Sequence, residues 1–267
     1  MAIDVRSDGA HPMVRQRARL EATLRTLPEA DWHHPSRCVE WTVQDVVSHL
    51  TTVNGFWALS MGAGLAGEPT RYLSTFDPVA TPAQLVDSGR GASVADTLEQ
   101  FATSCAALAA VVEGLSEADW DKLAEAPLGH LPIRLLADHA LWDGWVHERD
   151  IALPLGQRPV EDEDEVLTSL RYVAALGRAF ELTGGAAEPS TVVLELTDPV
   201  ARVVVAVDGD AVRVHDGPAP DGALVGGGDA VKTLELLSLR EAGAHAPAAV
   251  RSLTSGLALV FEQPSLI

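Results

Sequence analysis

His139, Asp143 and His147 stand at i, i+4 and i+8 in the segment LLADHALWDGWVHERDIAL. On a helix, residues four apart lie one above the other, so all three project from one stripe. A histidine and a carboxylate at this spacing can close on one metal ion, as the two histidines of an HExxH pair do. A further ligand must come from another element. His49, mid-helix in VQDVVSHL, is the natural candidate, because bundles build metal sites from inward-facing side chains on different helices. Two histidines and one carboxylate leave a coordination position open for water or substrate, the pattern of a catalytic site. The same residues also have a plain structural reading. Histidines commonly sit at the boundary of amphipathic helices, and Asp143 and Glu148 could pair with Arg149 or Arg134. Spacing alone leaves both readings open.

Other reactive residue types read more simply. Cys38 falls in a turn beside Trp41, where a small buried thiol is common. A nucleophilic cysteine needs an electropositive neighbourhood, and Arg37 alone does not provide one. Trp32, Trp41, Trp57, Trp120, Trp142 and Trp145 read as bundle packing, with Trp57 and Trp142 the two that could line a pocket. Gly226–Gly228 stand before a helix and invite a phosphate-loop reading. Neither the Lys-Ser/Thr ending nor the dinucleotide-binding spacing is there, so that reading is rejected.

The elements that must position these residues can be outlined from pattern. A first helix is expected from about Pro12 to Leu27. A second opens at Thr42, where T-V-Q-D forms a capping-box variant with Asp45, and Val46, Leu50, Val53 and Trp57 make its apolar stripe. Gly62 to Gly89 is broken by Gly and Pro and reads as a long lid or binding loop. A third helix covers roughly Ala92–Leu115, and a fourth begins near Leu131. A fifth follows Pro159, its EDEDE run suiting the positive end of the helix dipole. After TGGAAEPS the texture becomes β-branched in TVVLELTD, ARVVVAVDGD and AVRVHDG, predicting an antiparallel meander. Helices near Ala230–Ala242 and Pro247–Phe261 close the chain. The expected domains are a helical one over 1–183 and a small α+β one over 184–267.

Bulk properties narrow the function classes. The chain has 267 residues, 47% hydrophobic and 21% charged, ample for a buried core. A net charge of −19 repels phosphate backbones and anionic membrane surfaces, so nucleic-acid and membrane partners are not expected. No apolar stretch reaches the roughly 18 residues of a membrane span, and the N-terminus lacks the apolar core of a secretory leader. Two cysteines, Cys38 and Cys105, cannot form a disulfide framework, which points to the reducing cytoplasm. Lysine occurs only at Lys122 and Lys232. Arginine supplies the remaining positive charge, a composition typical of high-GC bacterial genomes.

Two blocks carry a family resemblance. HPSRCVEWTVQDVVSHL resembles the N-terminal signature of the mycothiol-dependent maleylpyruvate isomerase family, within the DinB-like superfamily. The signature is a Cys, a Trp-Thr pair opening a helix, then a mid-helix histidine: Cys38, Trp41, Thr42 and His49. DGWVHERDIALPLG resembles the second block, with a carboxylate four before a histidine and an aspartate three after it: Asp143, His147 and Asp150. GGGDAVKTLELLSLRE resembles the family's small C-terminal domain. The resemblance implies a DinB-like four-helix bundle followed by a sterol-carrier-like α+β domain. It also implies a divalent metal, usually zinc, held by His49, Asp143 and His147. One departure stands out: the family's carboxylate is Glu, and Asp143 is one methylene shorter. His139 then becomes a substitute ligand or outer support, and Asp150 reads as a structural hydrogen-bond partner that orients His147 or caps a turn.

The family's activity implies mycothiol as cosubstrate, with the cation stabilising its thiolate. Thiolate addition to a conjugated double bond frees it to rotate, and elimination returns the other isomer. In a transferase the same thiolate captures an electrophile. A small anionic substrate such as maleylpyruvate needs cationic anchors, for which Arg71, Arg90 and Arg240 are candidates, each also readable as a solvated surface arginine. Glu148 and Arg149 are expected to face away from His147. Two other classes compete: a non-catalytic binder of small molecules or partners on a retained bundle, and a metal-dependent hydrolase. A monomer or homodimer is expected.

Overall fold

A computed structural model describes residues 11–185 and 190–261. The described chain separates into two compact units, one ending at Val160 and the other starting at Glu161.

In the first unit, α1 (Pro12–Leu24) starts at a proline whose missing N–H costs nothing there, with the His11 ring accepting from Met13 N. After the single turn α2 (Glu29–Trp32), α3 runs Val43–Leu65. Thr42 and Asp45 form the expected capping box reciprocally. The Gly/Pro-broken stretch is less irregular than its composition predicts. Helix α3 persists to Leu65, a 3-10 turn spans Tyr72–Thr75, and α4 occupies Ala80–Gly89, contributing only Val86 to the buried set. Then come α5 (Val94–Glu113), an unforeseen hairpin of β1 (Leu123–Ala126) and β2 (Gly129–Pro132), and α6 (Ile133–Ala152). Buried Glu125 on β1 ties the 70–73 segment down, accepting from Thr70 Oγ1 and the backbone N–H groups of Tyr72 and Leu73.

Helices α1, α3, α5 and α6 pack on one another as a four-helix bundle. One apolar cluster gathers Trp57, Met61, Leu108, Ile133 and Leu136. A second joins Leu20, Val46, Leu50, Phe101 and Ile151. From Gly144 to Ala152 every residue of α6 is buried, including its charged H-E-R-D run. Such burial is tolerable only when each charge is paired or hydrogen-bonded. Glu148 accepts both arms of Arg19 at 3.0 and 2.9 Å. The Arg149 guanidinium lies 4.6 Å from the Trp145 ring centroid. Arg134, the other cation offered for these carboxylates, pairs instead with Asp121.

The second unit begins with α7 (Glu163–Thr183), so the compact division falls at 160/161 and not at the expected 183/184. The reason is packing: α7 lies on two strands and two helices of the C-terminal region. These elements are β3 (Ser190–Thr197), β4 (Ala201–Asp208), β5 (Ala211–Asp216), β6 (Leu224–Asp229), α8 (Ala230–Leu237) and α9 (Ala248–Phe261). The β3–β4–β5 meander is antiparallel as expected, and β6 adds to β3 in parallel, giving the order β5-β4-β3-β6. Gly226–Gly228 thus form the body of a strand. At Gly227 (φ 149°) a Cβ would overlap the backbone of Glu195 on β3, so only glycine permits this pairing.

Candidate metal centre

Helix α3 supplies His49 and α6 supplies Asp143 and His147, and their ligand atoms lie within 4.8 Å of one another. Asp143 Oδ1 is 3.8 Å from His49 Nε2 and 3.5 Å from His147 Nε2. Both separations exceed a hydrogen bond. They approach the edge of about 3.4 Å expected of a tetrahedron whose ligands stand 2.0–2.1 Å from a central ion. The other oxygen, Asp143 Oδ2, is buried and has no hydrogen-bond partner. A buried carboxylate with one oxygen facing two ring nitrogens and the other orphaned is costly without a cation, so the donor set fits a divalent metal. The shorter Asp side chain reaches both histidines as it stands.

The tautomer of His147 follows from its far side. Its Nδ1 is 2.9 Å from Asp150 Oδ2, and an ionised carboxylate can only accept. Nδ1 therefore keeps its proton, so that Nε2 is the nitrogen that presents a lone pair toward Asp143 and His49 once the ring gives up its second proton. Burial alone would push the His147 imidazole down, but Cys38, Asp143 and Asp150 outweigh it and raise it to about 10. For Asp143, burial pushes upward, yet His147, His49 and His139 hold it well below the usual carboxylate range. His49 is lowered, chiefly by burial, against the opposing pull of Asp143. The Trp41 ring leans on His49 at 5.3 Å.

Residues 14–152, more than half of the chain, match the family model described as the mycothiol maleylpyruvate isomerase N-terminal domain. The chain belongs to this family. Among solved structures, a crystal structure of a mycothiol-dependent maleylpyruvate isomerase superposes with a TM-score of 0.57 at 15% identity, covering 86% of this chain and 87% of that one. A point mutant of a mycothiol-dependent maleylpyruvate isomerase gives 0.58 at 14%, covering 84% and 85%. At these identities the likeness is one of fold. No curated protein matches the chain significantly.

The remaining candidates of this family member separate clearly. His139 does not join the trio. Its ring sits 4.8 Å from that of Trp57 and 5.4 Å from that of Trp142, and burial lowers its pKa to about 4. Trp57 and Trp142 thus pack the turn beside the centre. Arg90 is committed to Asp45, Asp87 and the Glu40 carbonyl, bracing the start of α3. Arg71 is exposed at the head of the 3-10 turn. Arg240 belongs to the other unit, just past α8, with its backbone N–H on Glu235 O. Glu148 and Arg149 take no part in the trio.

Sequence reasoning missed two contributors. Buried Arg17 donates to Asn54 Oδ1, Gln16 Oε1 and the Ala140 carbonyl, and a Cβ at Gly144 would collide with its guanidinium. The glycine after Asp143 was the only signal. Cys38, read as a passive thiol, has its Sγ 3.3 Å from Asp150 Oδ2 and 3.7 Å from His147 Nδ1. Its place in the resembling block was the clue.

Proposed function

We propose that this protein is a divalent-metal enzyme, zinc being the favoured ion, that uses mycothiol to isomerise or transfer onto a small electrophile such as maleylpyruvate. The observation that carries the reading is the Asp143 carboxylate, whose Oδ1 lies beside the Nε2 atoms of His49 and His147 while its buried Oδ2 has no hydrogen-bond partner, in a chain of this family. These three side chains would hold the ion. Bound there, it would favour thiolate over thiol near neutral pH. The chain's own residues do the rest. Asp150 keeps the proton of His147 on Nδ1, so Nε2 stays a donor. The buried α6 face and Trp41 keep bulk water from the two histidines. Two histidines and one carboxylate leave a position for the thiol. Against a net charge of −19, Arg71 is the candidate within this unit for a substrate carboxylate, Arg90 being occupied structurally.

Metal analysis of protein purified without chelator, followed by maleylpyruvate turnover with and without mycothiol, tests the proposal. One equivalent of metal, lost in His49→Ala, and thiol-dependent turnover are expected. A metal-free protein in which His49→Ala behaves like the parent would sink it.

A further inference from the structure

Asp150 is fully buried, at 0% exposure, so both its oxygens need partners. Oδ2 accepts twice: from His147 Nδ1–H at 2.9 Å and from the Cys38 thiol at 3.3 Å. Oδ1 faces Arg37 Nε at 3.8 Å. The backbone N–H of Arg37 also donates to the Asp150 carbonyl at 3.0 Å, stitching the turn before α3 onto the end of α6. That turn is rigid. Ser36 Oγ donates to the Trp41 carbonyl and accepts from Cys38 N, while Trp41 N donates to the Cys38 carbonyl. The six residues 36–41 thus address both histidines of the centre, Cys38 on His147 both directly and through Asp150, and Trp41 on His49.

The Cys38, His147 and Asp150 donors are also compact enough to hold an ion. All three of their separations are hydrogen-bonding distances, however, two of them to sulfur, and Asp150 already has Arg37 beside it. This set is closed where the trio is open. The terminal torsion of a carboxylate is broad, and each donor on it narrows that range. The Cys38 thiol adds a donor on the very oxygen that accepts from His147 Nδ1–H. We propose that the Cys38 thiol is a positioning group: by fixing the Asp150 carboxylate it sets the orientation of His147 Nε2 and hence the affinity of the centre. The inference rests on the metal reading above and adds to it a residue that touches neither metal nor substrate.

The test uses the full chain, Co2+ as the probe, and Cys38→Ala beside Cys38→Ser, with thermal midpoints to establish folding. Loss of outer hydrogen bonds to ligating histidines costs about 10–100-fold in metal affinity. Cys38→Ala is therefore expected to weaken Co2+ binding by about tenfold or more, and Cys38→Ser, which keeps a donor, to recover most of it. If Cys38→Ala does not fold, the near-isosteric Cys38→Val replaces it. In metal-free protein, the hydrogen-bonded Nδ1–H proton of His147 should be sharp by NMR in wild type and Cys38→Ser and exchange-broadened in Cys38→Ala. Unchanged affinity and an unchanged Nδ1–H signal overturn the proposal. So does a thiolate-to-cobalt charge-transfer band in wild type that Cys38→Ala abolishes, since the sulfur would then be a ligand. Should wild type take up no Co2+, the metal reading fails, and the Nδ1–H signal alone decides the positioning role.

Discussion

His139 and His147 stand eight residues apart on one face of α6, and the bundle gives them opposite chemistry. His147 has a carboxylate on each side, Asp143 beyond Nε2 and Asp150 on Nδ1, and its pKa rises to about 10. His139 is flanked by the rings of Trp57 and Trp142, and its pKa falls to about 4. Identical side chains at equivalent positions become a member of the candidate ligand trio and a neutral packing group because different neighbours arrive from other elements. Periodicity nominates a stripe, and only its surroundings divide the labour along it.

The sharpest way to break this comparison is to remove each histidine in turn. His147→Ala should abolish stoichiometric metal, whereas His139→Phe should keep it, as measured by elemental analysis of desalted protein. Retention in the first or loss in the second would reverse the assignment.

Next in size is a pH effect at the His147 end. Because metal-free His147 stays protonated to about 10, metal entry must expel the Nε2 proton. Affinity should therefore rise by about tenfold per pH unit from neutrality toward 10, with one proton released per ion. Calorimetry in buffers of different ionisation enthalpy counts that proton.

Between the two ends lies Gly144, where a Cβ would strike the Arg17 guanidinium. Gly144→Ala is expected to cost about 3 kcal/mol in urea unfolding, since a buried arginine has nowhere to retreat. A near-neutral result would mean that Arg17 is more adaptable than its three hydrogen bonds imply.

The smallest effect belongs to His139. Its folded pKa, about 4, lies below the ordinary value of about 6.5. Between these values the unfolded chain binds a proton that the fold does not, so stability rises with pH there. His139 thus contributes fully above about 6.5, and that contribution is lost as pH falls toward 4. The loss should be on the order of 2 kcal/mol, moderated because the ring is only partly buried. Urea titrations across this range should show a shallower slope in His139→Phe.

Legibility in the sequence followed the range of the cause. The opening of α3 was readable because Thr42 and Asp45 are three residues apart, and the α6 stripe because four-residue spacing dictates one face. The β3–β5 meander was readable from its alternation. Short elements were not: α4 buries only Val86, and the β1–β2 hairpin is four residues a side, too little pattern to stand out against Gly and Pro. Assignment of α7 to the C-terminal unit was illegible too, because its partners α8, α9, β4 and β5 follow later in the chain.

By itself, the sequence determined the family, the helical identity of the elements carrying His49 and Asp143/His147, and the single turn of α6 that sets Asp143 and His147 in line. Local covalent geometry suffices for those, since backbone periodicity fixes direction around a helix axis. Only the tertiary structure decided which nitrogen of His147 meets which carboxylate, that Asp143 Oδ2 is left without a partner, and that Cys38 closes on Asp150 from 112 positions away. Rotamer choice and desolvation depend on everything packed around a group, and that information exists only once the bundle has closed.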